Sequence, residues 1–292
     1  MSVVVEPRDV MRVGVNLWVW GAPMTDERVD RLLPRAAEMG FDVVEFPIEE
    51  RGGFDYERAG TALADHDLAG SVVVAMNEER DLLHDDGAVR ENGREYVRHC
   101  VDAAATLGAD RVVGPLYSAV GRTWRMSDAE RAAAVEDVVA QLHDLSSYAA
   151  DHGVTLCVEP LNRFETSVLN TVEQGVEVID RVDHPNCDLL LDTFHMNIEE
   201  SSLSAAIEAA GDRIGHFHAC GNDRGPPGSG HIDWPAVDAA LADAGYDDQV
   251  VIESFTPEVE SIARAAAIWR PLAESQNALA RDGLAFLRNR FD

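Results

Sequence analysis

The chain has 292 residues, 46% of them hydrophobic and 26% charged, enough to bury a core without a disulfide or a structural metal. Its 53 acidic against 24 basic residues give a net charge of −29, which argues against nucleic-acid and membrane-surface partners. Every basic residue is arginine, and the missing lysine amine excludes Schiff-base aldolases, pyridoxal phosphate enzymes and P-loop NTPases.

The acids are spread along the chain rather than gathered in a tail. That distribution reads as a salt-adapted surface and a haloarchaeal cytoplasm. Cys100, Cys157, Cys187 and Cys220 lie far apart without a CxxC pair, as expected of reduced thiols in a cytosol. Residues 1–12 lack the apolar run of a leader, and no stretch approaches the ~20 apolar residues of a membrane span.

In chain order, short apolar runs fall at residues 13–20, 42–46, 70–76, 111–116, 155–159, 188–192, 214–219 and 249–255. Between them, helical periodicity predicts helices over 25–39, 87–107, 128–151, 172–182, 203–210 and 235–244. Gly40, Gly108, Gly153, Gly211 and Gly245 follow these helices, where a left-handed residue is cheapest. Strand and helix alternating in this way predict a single (β/α)8 TIM barrel over 1–292, with a C-terminal helical segment from about 258 to 292. Periodicity alone leaves a doubly wound sheet open.

In a barrel, the C-terminal strand ends carry the chemistry. Strand five ends in Glu159, strand six in Asp192, strand seven in His218 and strand eight in Glu253. One acid at a strand end is ordinarily a cap or an ion-pair partner. Acids and an imidazole in register on adjacent strands would repel one another unless a cation sat among them. Glu159, Asp192, His218 and Glu253 are therefore expected to bind one divalent ion. A donor set of carboxylates and one imidazole suits Mn²⁺ first, with Co²⁺ or Mg²⁺ possible. His216, two residues before His218, is expected to lie a layer deeper as a supporting residue. Trp18, Trp20, Trp124 and Phe255 are candidates for an apolar wall.

Several strings carry a family resemblance: Glu159-Pro-Leu-Asn-Arg-Phe-Glu165, Leu191-Asp-Thr-Phe-His-Met-Asn-Ile-Glu-Glu200, Gly215-His-Phe-His218 and Trp269-Arg270. With them the chain resembles the D-tagatose 3-epimerase/D-psicose 3-epimerase family of xylose isomerase-like TIM barrels over nearly its whole length. The resemblance implies a metal-dependent ketose 3-epimerase acting on free ketoses, of the D-fructose/D-psicose, D-tagatose/D-sorbose or L-ribulose/L-xylulose type. Glu159 and Glu253 would exchange the C3 proton from opposite faces of the sugar through a cis-enediolate. Glu165, His195 and Arg224 match substrate-contacting positions, and Trp20 and Phe255 would complete the pocket. A homodimer or homotetramer is implied, with a small ketose as the only partner and no organic cofactor.

The chain departs from better-known members at three places. Asn16 stands where an aromatic residue is usual, Ser118-Ala-Val120 replaces a tryptophan for which Trp124 is the expected substitute, and Cys220-Gly221 replaces an acidic residue. The preferred sugar is expected to differ accordingly. An aldose–ketose or hydroxypyruvate-type isomerase on the same scaffold is the alternative reading. An endonuclease IV-like nuclease is more remote, given the acidic charge and a single histidine at the strand ends.

Overall fold

The computed structural model describes residues 11–291, so most of the segment read as lacking a leader, residues 1–12, lies outside the described residues. Eight parallel strands close into a barrel in chain order: β1 Arg12–Asn16, β2 Val43–Pro47, β3 Ala69–Val73, β4 Arg111–Gly114, β5 Thr155–Val158, β6 Cys187–Asp192, β7 Ile214–Ala219 and β8 Gln249–Ile252. β1 pairs with β8, so the sheet has no free edge. A doubly wound sheet is thereby ruled out.

The outer ring comprises α1 Asp26–Met39, α2 Tyr56–Asp65, α3 Gly87–Leu107, α4 Asp128–Asp151, α5 Val172–Val182, α6 Thr193–Glu199, α7 Leu203–Ala210, α8 Trp234–Asp243, α9 Glu260–Ala265 and α10 Gln276–Phe291. α10 packs on β1 and β8 and covers the seam of the barrel. Among the described residues no helix is long and apolar enough to cross a membrane.

Much of the acidity has local work. Asp55, Asp86, Asp192 and Asp233 cap α2, α3, α6 and α8 through side-chain oxygens, and Ser127 with Glu130 forms a capping box on α4. Gly40 ends α1 at φ 92°, a conformation in which a side chain would be strained.

Two departures from the sequence reading matter for the site. The first apolar run stops being a strand at Asn16, and a 3-10 turn takes over at Leu17–Val19. α2 escapes the periodicity because it buries only Ala59 and Leu63.

At the N-terminal mouth, Arg111 on β4 lies between Asp110 and Asp248 at 2.8 and 2.6 Å and donates to the Gly215 carbonyl at 2.7 Å. Asp188 on β6 shares this mouth, and burial pushes its pKa up to about 6 despite the field of Arg111. A carboxyl raised in the folded state costs stability above that pKa and nothing below its unfolded value. Asp188→Asn should therefore stabilise the fold by about 1–2 kcal/mol at pH 8, a figure discounted because the group is partly exposed. The gain should shrink towards pH 5; urea midpoints at the two pH values, in the same salt, check it.

Candidate active site and metal centre

The four expected ligands meet at the C-terminal mouth. Glu159 follows β5, Asp192 ends β6, His218 lies on β7 and Glu253 follows β8; all are buried, and one ligand atom from each falls within 4.8 Å of the others. A register shift between Leu189 and Leu190 makes this possible. Leu189 pairs with Ile214, but Leu190 pairs with His216, so Gly215 is the extra residue and Asp192 comes opposite His218. Without the bulge Asp192 would face Phe217, whose side chain points to the other side of the sheet. Only glycine fits at 215, because a Cβ there would come 2.6 Å from Asp188 Cβ.

The cluster fits a cation on its own evidence. Glu159 Oε1 and His218 Nδ1 are buried without a hydrogen-bond partner, although both belong to this ring of donors. His218 Nδ1 lies 3.6 Å from Glu253 Oε1. Hard carboxylate oxygens and one imidazole make a site for a divalent ion.

Among the protein's own charges the two glutamates are driven apart. Burial, then the charges of Glu253 and Asp192, push Glu159 well above the usual carboxylate range. Burial would raise Glu253 too, but Arg224 and His218 outweigh it and hold the group at about 2.

Arg224 reaches the centre from the loop after β7. It adopts φ 65°, Ser254 Oγ donates to its carbonyl at 2.6 Å, and its guanidinium bridges Asp192 and Glu253. Its other terminal nitrogen lies 2.9 Å from His195 Nε2. His195 Nδ1 accepts the Asn162 backbone N–H at 3.0 Å, and burial, reinforced by Arg224, lowers the imidazole pKa to about 3. A guanidinium only donates, so Arg224 faces Nε2 as a donor while Asn162 faces Nδ1, and the two contacts hold His195 and Arg224 together at one point of the cavity. Glu165 accepts from Asn162 Nδ2 at 2.8 Å, and burial raises its pKa.

A cavity of about 500 Å³ opens above these groups. Glu159, Glu165, His195, Arg224 and Glu253 line its polar side, and Trp18, Val120, Phe164, Phe255 and Ile262 its apolar side. Trp18 and Phe255 pack with ring centroids 5.5 Å apart. Trp20 is not on this wall; its indole N–H donates to Asn277 Oδ1 at 2.8 Å. In a strand, residues 18 and 20 would share a face, but the 3-10 turn rotates them apart. Trp124 lies in a neighbouring cavity with the Arg122 guanidinium 4.5 Å from its ring.

The other departures also move away from the sugar wall. Cys220 is buried behind Asp192, with Sγ 3.5 Å from Oδ1, and Asn16 points into the barrel. Among the described cysteines all four are free and buried.

One residue of the centre escaped the sequence reading. Glu45 on β2 is fully buried and meets His218 Nε2 and His216 Nε2, each at 2.9 Å. Burial opposes its charge, but the two histidines overcome that and hold its carboxyl far below the usual range. An acid inside an otherwise apolar strand, Val43-Val-Glu45-Phe, was the available signal. His216 lies a layer below the ligands, as expected.

Residues 33–290 match the family model described as xylose isomerase-like TIM barrel. The chain belongs to that family. A ketose 3-epimerase from Arthrobacter globiformis is 34% identical to this barrel over 282 residues, 96% of each chain. An L-ribulose 3-epimerase from Methylomonas sp. is 30% identical over 283 residues, 96% of this chain and 98% of its own. Among solved structures, an L-ribulose 3-epimerase superposes with TM-score 0.91 at 32% identity, covering 96% of this barrel and 94% of its own chain. The Methylomonas D-allulose 3-epimerase in complex with D-allulose gives TM-score 0.90 at 30% identity, covering 98% of each.

Proposed function

We propose that the protein is a metal-dependent ketose 3-epimerase acting on free ketoses in the cytoplasm of a salt-adapted cell. The observation that carries this reading is the pair Glu159 and Glu253, two buried carboxylates lining one cavity with their pKa values driven in opposite directions. Inverting a carbon beside a carbonyl needs one group to take a proton from one face and another to return one to the opposite face. Glu253 is the group poised as base and Glu159 the one poised as acid, with roles exchanged in the reverse direction.

Glu159, Asp192, His218 and Glu253 would hold one divalent ion, Mn²⁺ by preference, with Co²⁺ and Mg²⁺ as alternatives. When bound, the ion polarises the C2 carbonyl and steadies the negative charge that grows as the C3 proton leaves. His195 and the Arg224 guanidinium stand beside the oxygen that becomes negative, and polar groups fixed in advance cost no reorganisation at that moment. Glu165 positions a sugar hydroxyl, while Trp18, Phe255 and Val120 exclude water along the apolar side.

Arg224, beside the reacting centre, is the one arginine lining the cavity among the described residues, which favours an uncharged sugar over a phosphorylated one. The exposed aromatic rings of Phe164, at the cavity mouth, and of Trp269, at 74% and 75%, are consistent with a homodimer or homotetramer.

The test is incubation with Mn²⁺ and D-fructose, D-psicose, D-tagatose or L-ribulose in D₂O at high salt. Deuterium entering C3 with inversion is the expected result. Label at C1 would instead establish the aldose–ketose isomerase, and no exchange with any ketose would overturn both.

A further inference from the structure

Glu45 does not line the cavity, yet side chains from three other strands converge on it. Asn16 Nδ2 on β1 and His218 Nε2 on β7 reach Oε1 at 3.0 and 2.9 Å. Ser71 Oγ on β3 and His216 Nε2 on β7 reach Oε2 at 3.0 and 2.9 Å. Desolvating a carboxylate costs several kcal/mol, so a fold that keeps one here needs a return for it.

The donor bookkeeping fixes the geometry. Asn16 Oδ1 accepts the Trp18 backbone N–H at 2.9 Å, so its amide nitrogen must face Glu45. A carboxylate only accepts, so the His218 nitrogen beside it carries the hydrogen. A metal ligand must be a neutral ring, and with its hydrogen on Nε2 such a ring has its lone pair on Nδ1, the buried and unpartnered atom on the side of Glu253. Position 16, where related epimerases tend to place an aromatic wall residue, here serves this network instead.

We infer that Glu45 is a positioning residue: it holds His218 in the Nε2–H tautomer and the ring orientation that presents Nδ1 to the cation. Asn16 and Ser71 hold Glu45 in turn, with His216 Nε2 at ion-pair distance from Oε2. The inference rests on the metal-dependent reading above. Glu45, His216 and His218 also have ligand atoms within 4.8 Å of one another, but both Glu45 oxygens are engaged by hydrogen bonds of 2.9–3.0 Å from Asn16, Ser71 and His218. The trio therefore acts as an orienting network rather than a second cation site.

Calorimetric titration of the metal-stripped full chain with Mn²⁺ tests this without reference to activity. Glu45→Gln keeps the shape but replaces one acceptor oxygen with an amide donor that faces donors already pointing at it. Its Mn²⁺ Kd should rise about 10–100-fold while the wild type binds one ion per chain. An unchanged Kd in the variant, or two ions bound by the wild type, would overturn the inference. Should the variant fail to fold, long-range ¹H–¹⁵N spectra of the Mg²⁺-loaded wild type decide. A hydrogen on His218 Nε2 supports the assignment and one on Nδ1 sinks it. A wild type that binds no divalent ion would instead take down the metal-dependent reading itself.

Discussion

Glu159→Gln and Glu253→Gln should each lower ketose epimerisation by about 10⁴-fold or more, with little change in folding. Loss of a positioned acid or base accounts for about 10²–10⁴ of that, and weakened metal ligation adds to it. Glutamine keeps the side-chain volume; at 159 it removes one charge from a crowded ring, so metal-free Glu159→Gln should melt at or above the wild-type temperature, whereas Glu253→Gln takes a partner from Arg224 and His218 and should melt lower. The two roles separate in D₂O. A variant missing only the proton carrier on one face should still exchange C3 hydrogen from one epimer while inverting neither. Wild-type inversion in either variant would remove the two-carboxylate mechanism.

Stripping the divalent ion should abolish activity, and returning Mn²⁺ should restore it. The physical reason is the same ring: Glu159, Asp192 and Glu253 crowd one another in a buried centre where Arg224 supplies a single fixed positive charge. An ion that binds only the folded chain stabilises it by about 2.7 kcal/mol at 100 times its Kd. For a chain of 292 residues that corresponds to a rise in Tm of about 4–5 °C. Melting curves across a Mn²⁺ series, read beside activity and metal content, give the result. Full activity in protein shown to hold no stoichiometric metal would refute the prediction.

Most of the architecture was legible from local pattern. Each apolar run became a strand because a parallel barrel strand is covered on both faces, and such burial leaves a continuous hydrophobic signature. The ligands were legible for a related reason, since a charged residue closing an apolar run marks a strand end at the mouth. α2 was not legible, because a helix that buries two small-to-medium side chains leaves too weak a period.

The sequence by itself determined the strand count, the lysine-free chemistry and the identity of Glu159, Asp192, His218 and Glu253. It could not decide which way side chains point once the chain leaves regular structure, so it put Trp20 on the wall beside Trp18, where the 3-10 turn leaves Trp18 without it. Nor could it place Asp192 opposite His218, which depends on a bulge at Gly215 in the neighbouring strand. Glu45 was the largest omission: it meets His218 across 173 positions of chain, through closure of the barrel. Local periodicity is written in neighbouring residues, whereas register, bulges and contacts across a closed sheet are set by packing between residues far apart in the chain.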